Sequence, residues 1–95
     1  MKRQIEIELR GMSCWAVQEI QCTDNSIAPQ GVMAFDTVHD AEEYVKKSIA
    51  KLVTYFGEDK VTISGNYPIQ IIEVCPNNIK DKFKVIYYIS NLYLQ

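Results

Sequence analysis

The sequence contains few of the residues from which catalytic and metal sites are built. His39 is its single histidine, and its four glycines lie apart from one another, so it has no glycine-rich loop for phosphate groups. Adjacent acidic residues such as Glu42 and Glu43 lie near a predicted helix end, where solubility and the helix dipole explain them. We therefore predict that the chain is not an enzyme, with no catalytic residue and no cofactor.

Neither an excess of positive charge nor a long apolar run is present. Lysine and arginine number 10 against 12 aspartate and glutamate residues, for a net charge of -2, so counterion release gives little drive toward nucleic acid. Glu6 and Glu8 interrupt the apolar stretch behind Lys2 and Arg3, which argues against a signal peptide. The uncharged stretches are too short and too polar to span a bilayer. We expect a cytoplasmic domain without a membrane or nucleic-acid partner.

Cysteine is also scarce. The three present, Cys14, Cys22 and Cys75, form an odd and scattered set that suits a reducing compartment. Residues 11–14 read GMSC and resemble the start of the GMxCxxC motif of heavy-metal-associated domains, in which two cysteines bind a soft metal ion. Val17 takes the place of the second cysteine, so no metal site is predicted. Thiol catalysis is a further alternative, and it requires the fold to bring a cysteine beside His39.

The pattern of apolar residues predicts one α+β domain over residues 1–95. We expect an antiparallel sheet of about five strands, in the order ββαβββ, with one long amphipathic helix packed on one face. The predicted strands are 4–9, 12–23, 61–64, 69–75 and 83–92. Residues 12–23 also fit a helix, although we favour a strand. Residues 24–36 are predicted to be irregular because turn-forming residues lie at both ends.

The clearest predicted element is the helix over residues 38–56. Its apolar side chains recur at steps of three and four residues, which is one helix face: Val38, Ala41, Val45, Ile49, Leu52 and Phe56. Asp36 or Thr37 can cap the start, and Gly57 is a stop signal. Phe83, Val85 and Ile89 of the last strand are well shaped to pack against this face.

The last two predicted strands are apolar on both faces, and one helix cannot cover both sides of a sheet. We predict that the second face is apolar and tyrosine-rich and that it is an interface. The residues predicted for it are Ile72, Val74, Ile86, Tyr88, Leu92 and Leu94. Either a partner covers this face, including a second copy of the chain, or residues 24–36 fold over it.

These features predict a non-enzymatic protein-interaction module that forms a homodimer or binds another protein. Small acidic one-domain proteins with an uncovered sheet face are common among phage- and plasmid-encoded inhibitors of host enzymes. Inhibition of a host enzyme is therefore one specific hypothesis. The alternative is a domain that binds a small ligand or single-stranded nucleic acid on the same aromatic face, since residues 82–88 interleave lysines with aromatic residues. Salt-dependent binding of single-stranded nucleic acid distinguishes the two functions.

Overall fold

The computed structural model describes residues 13–23, 26–77 and 81–93 of the 95-residue chain. The described part consists of five strands, one long helix and a short 3-10 turn. In chain order these are β1 (Ser13–Cys22), β2 (Ile27–Phe35), α1 (Val38–Phe56), the turn Glu58–Lys60, β3 (Val61–Ser64), β4 (Ile69–Val74) and β5 (Phe83–Tyr93). The strand predicted at residues 4–9 lies outside the described residues.

The strands form one antiparallel sheet in the order β2-β1-β5-β4-β3. The predicted fold class, an α+β domain with a five-stranded antiparallel sheet and one helix, is therefore confirmed. Because neighbours are antiparallel, β2 and β3 run in the same direction at opposite edges. Parallel strands need a crossover connection, and helix α1 supplies it. At 19 residues the helix is about 28 Å long, more than the ~19 Å that separates the two edge strands.

The predicted bounds of the helix match the structure at both ends. Thr37 is the N-cap, and its hydroxyl oxygen accepts a hydrogen bond from the backbone N–H of Asp40 at 3.1 Å. Gly57 ends the helix with a positive φ of 101°, and its N–H donates to the carbonyl of Val53 at 2.8 Å. A glycine is favoured at that φ because it has no Cβ.

The structure corrects the prediction for residues 24–36. Residues 27–35 are not irregular and do not fold over the second face, because they form the edge strand β2 beside β1. Pro29 and Gly31 suggested a loop, but an edge strand tolerates proline since its outer N–H groups are not needed for the ladder. The register shifts between Glu19 and Ile20 of β1, opposite this segment, which is the mark of a bulge. Residues 13–22 of the ambiguous segment form strand β1, as favoured, and residue 12 lies outside the described residues.

The hydrophobic core lies between the helix and one face of the sheet. Ala41 and Val45 are the fully buried helix residues. They belong to one cluster with sheet residues that are at most 6% exposed: Val17, Ile72, Val74, Val85, Tyr87 and Ile89. An aromatic pair packs near each end of the helix, Phe35 with Tyr44 at 5.3 Å between ring centroids and Phe56 with Phe83 at 5.7 Å. These contacts fix the helix across this one face.

Candidate functional site

The sheet face opposite the helix is the candidate site, and we call it the open face. Side chains alternate between the two faces along each strand, and the register of the strands aligns them across the sheet. Two adjacent rows at its centre are Val32, Gln18, Tyr88 and Ile69, followed by Pro29, Ile20, Ile86 and Ile71. A third row on the other side of Tyr88 holds Ala34, Ala16 and Ser90. The face is therefore predominantly apolar.

Large side chains of the open face are exposed to a degree that core residues are not. Val32 is 61%, Leu92 45%, Ile69 40% and Tyr88 38% exposed. Ala16 is only 3% exposed, and it lies in register with the small residues Ala34 and Ser90. The surface of the open face is therefore uneven, because one row has small side chains and the rows on either side of it have larger ones. A contiguous exposed apolar patch on a small domain marks an interaction surface more often than an exposed single residue does.

Some of the residues that the sequence predicted for an interface lie on the open face, and others do not. Ile86, Tyr88 and Leu92 lie on the open face, since they pair with its β1 residues. Ile86 and Tyr88 also alternate with buried neighbours. Leu94 lies outside the described residues. The interface role of these residues stays a prediction.

Ile72 and Val74 do not belong to the open face, and this part of the prediction is corrected. Both are 0% exposed and belong to the core cluster beneath the helix. Ile72 pairs with Val85, which fixes it on the helix side. The error arose because both faces of β4 are apolar, and a strand of this kind gives no alternation by which the inner face can be recognised.

The description of this face as tyrosine-rich is also corrected for the described residues. Tyr87 is 3% exposed and lies under the helix, so Tyr88 is the tyrosine that β5 places on the open face among the side chains described. Sequence reasoning could have separated the two, since adjacent strand residues always point to opposite faces. A single aromatic ring is a poor stacking platform for nucleic acid, where successive bases stack on several rings.

Charge on the open face is confined to one end among the described residues. Glu73 and Lys84 pair there across β4 and β5, and Lys82 lies beside them. The carboxylate of Glu73 lies 4.0 Å from the ammonium group of Lys84 and also 4.0 Å from that of Lys82. Partly exposed pairs of this kind add little stability. The two lysines of the segment 82–88 share this one carboxylate, so a net positive charge remains at this end.

The other face carries a cleft of about 290 Å³ between the helix and the ends of β4 and β5. Tyr67, Pro68, Gln70, Val45 and Ile89 are among its walls, with Tyr87 in its lining. Burial raises the pKa of Tyr87 to about 12, and the nearby Glu19 carboxylate adds to this increase. The hydroxyl group therefore keeps its proton to a higher pH than that of an ordinary tyrosine. The cleft is at the small end of the range for ligand pockets.

The three cysteines lie away from His39. Cys14 and Cys22 are on β1, in register positions of the open face, whereas His39 is an exposed residue in the first turn of the helix on the opposite side. Cys75 follows Val74, the partner of Phe83, and so lies near the C-terminal end of the helix, which is about 28 Å from its start. This arrangement offers no support for Cys–His catalysis.

Neither a metal-binding group nor a membrane span was found in the part of the chain that the structure describes. No three histidine, cysteine, aspartate or glutamate side chains among these residues come together in a way that could hold an ion. The helix found there is not apolar enough over its length to cross a bilayer. Comparisons with protein-family models, curated proteins and solved structures gave no match.

Proposed function

We propose that the protein is a non-enzymatic protein-interaction module that binds a protein partner through the open face. The observation that carries the proposal is the exposure of large apolar side chains, Tyr88 and Leu92 among them, on the central strand of the sheet. The solvated face of an antiparallel sheet ordinarily carries polar side chains. Exposed apolar surface there is costly in water, and a partner that covers it removes that cost.

Tyr88 is the residue best placed to dominate such binding. It occupies the middle of β5, between Gln18 of β1 and Ile69 of β4. Tyrosine combines a large apolar ring with a polar end, and residues of this type at the centre of an interface often supply most of its binding free energy. The surrounding side chains exclude water from the contact.

The proposal competes with nucleic-acid or small-ligand binding. The open face presents one described tyrosine, and Lys82 and Lys84 at its end share the carboxylate of Glu73. Both features weaken the case for single-stranded nucleic acid on this face. A small ligand has a better site in the cleft beside Tyr87, on the other side of the sheet.

Localisation and biological role belong to the proposal as well. The free thiols of Cys14, Cys22 and Cys75 suit a reducing cytoplasm. Inhibition of a host enzyme by contact with its surface, as small phage- and plasmid-encoded proteins do, is one activity that an apolar binding face of this size would allow.

The experiment compares Tyr88→Ala with a matched control, Tyr55→Ala. Tyr55 is 82% exposed on the helix, far from the open face. The immobilised wild-type chain and both variants are exposed to lysate of the native host, and bound proteins, including free copies of this chain, are quantified. We expect Tyr88→Ala to weaken the main interaction by about 1–3 kcal/mol, the range for a hot-spot residue, and Tyr55→Ala to leave it unchanged.

Thermal unfolding of the same variants separates binding from folding. Tyr88→Ala should cost less stability than Ile49→Ala, whose side chain packs against the core. Equal capture of partners by the wild type, Tyr88→Ala and Tyr55→Ala would contradict the proposal. Salt-dependent binding of single-stranded DNA that Tyr88→Ala abolishes would also contradict it.

A further inference from the structure

We infer that the partner of the open face is a second copy of this chain, packed sheet against sheet around a two-fold axis. The inference rests on the proposed function and names the partner at the same surface. Three properties of the face support it: its area, its charge and its shape.

The area of the open face matches one side of a dimer interface. The central strands β1 and β5 have 10 and 11 residues. At about 3.3 Å per residue and about 4.8 Å between strands, the five-stranded face measures roughly 600–800 Å². A stable interface of standard size buries about 800 Å² on each partner. Sheets that pack face to face through apolar side chains are a common way to build such a contact.

The charge of the open face suits an identical partner better than a charged one. Over the residues described, its charged side chains lie at one end, where the Glu73 carboxylate is 4.0 Å from the ammonium groups of both Lys82 and Lys84. A strongly acidic or basic partner would find no complementary charge at the centre of the face. A second copy brings the same uncharged centre, so association brings no like charges together there, although the chain as a whole carries a net charge of -2.

The shape of the open face is complementary to itself. The row of small side chains Ala34, Ala16 and Ser90 lies beside the row that contains Tyr88. Ala16 is 3% exposed, whereas Tyr88 is 38% and Leu92 45% exposed. A two-fold axis allows Tyr88 of each copy to lie against the small side chains of the other, as an isologous interface requires.

The test uses opposite charges at one position of the full-length chain. Tyr88→Glu and Tyr88→Lys are examined alone and as an equimolar mixture by sedimentation velocity from about 1 to about 500 μM, a range that covers micromolar to near-millimolar Kd values. We expect a wild-type dimer, at least tenfold weaker association of each variant alone, and recovery of a dimer in the mixture. Tyr55→Glu and Tyr55→Lys serve as matched controls and should dimerise like the wild type.

A second pair, Leu92→Glu and Leu92→Lys, repeats the test if a Tyr88 variant fails to fold, as judged by circular dichroism. A wild-type chain that stays monomeric at 500 μM would overturn the inference, as would a dimer that none of these variants weakens. If the wild type is monomeric while capture of another protein still depends on Tyr88, the inference fails and the proposed function stands. If there is neither dimer nor capture, both fail.

Discussion

Tyr87 and Tyr88 are the same amino acid at adjacent positions of strand β5, yet the first is 3% exposed and the second 38%. Ile72 and Ile71 of strand β4 repeat the contrast, since Ile72 is fully buried and Ile71 is half-buried. In both pairs the partner that is buried faces the helix. The two sheet faces therefore carry similar side chains in different surroundings.

The difference shows that chain connectivity, and not side-chain composition, decides which face is covered. Helix α1 joins two strands that run in the same direction at opposite edges, so it must cross the sheet on one side. It meets strands along its whole length there and buries Val45 against the core cluster. The described residues include no second helix to cover the open face. The exposed apolar surface is thus a consequence of the topology.

The largest effect that can test this comparison is expected at the isoleucine pair in β4. Ile72→Ala should destabilise the domain by about 2–5 kcal/mol, because it opens a cavity in a site that cannot collapse completely. Ile71→Ala, the matched change on the open face, should cost about 1–2 kcal/mol, since less buried area is lost. Urea unfolding at low micromolar concentration measures both. Losses of equal size would mean that the two faces are equally buried in solution.

An intermediate effect is expected in the pH dependence of stability. The pKa of Tyr87 rises from 10.0 to about 12 in the folded protein, chiefly by burial and then by the Glu19 carboxylate. Between these values the folded state keeps a proton that the unfolded state has released. The stabilisation of the folded state that comes from this raised pKa is therefore complete below pH 10. It is lost as the pH rises toward 12, and the free energy of unfolding falls by about 1.4 kcal/mol for each pH unit.

Two phenylalanine variants isolate the contribution of Tyr87. Tyr87→Phe should flatten the decline of unfolding free energy between pH 10 and pH 11, and Tyr88→Phe should leave the decline as it is in the wild type. Urea titrations at several pH values check this. The contrast between the two tyrosines would be refuted by a steeper change for Tyr88→Phe than for Tyr87→Phe.

The smallest effect is expected at the cap of the covering helix. Thr37→Ala removes the hydroxyl group that accepts from the N–H of Asp40 and should cost about 1 kcal/mol. Thr54→Ala is the matched control, because Thr54 is exposed within the helix and alanine is a better helix former there. Thermal unfolding compares them. A control that lost as much stability as Thr37→Ala would show that the cap contributes nothing specific.

The helix could be predicted from the sequence with its caps because all the information is local. A run of apolar residues with a period of 3.6, a threonine before it and a glycine after it define both ends. The strands of the C-terminal half were also predictable, since turn residues separate them. Strand β2 was missed because Pro29 and Gly31 interrupt its pattern, and an edge position makes both acceptable.

The candidate site was predictable in kind but not in full membership. Apolar residues on both sides of β5 indicated that one face would lack a cover. The assignment of Ile86, Tyr88 and Leu92 to one face followed from their even spacing along the strand, which is independent of tertiary contacts. Ile72 and Val74 were assigned to the wrong face of the sheet. The register between β4 and β5 decides which face of β4 is continuous with the open face of β5, and the sequence does not give that register.

The sequence by itself determined the helix, the antiparallel partners joined by short loops and the presence of more apolar strand surface than one helix can bury. These follow from periodicity, turn chemistry and the area of a single helix face, all of which are local properties. The tertiary structure alone decided that β5 is central, that β2 is an edge strand and that Ile72 lies inside while Ile71 lies outside. Register and strand order depend on contacts between residues far apart in the chain, so no short segment contains them.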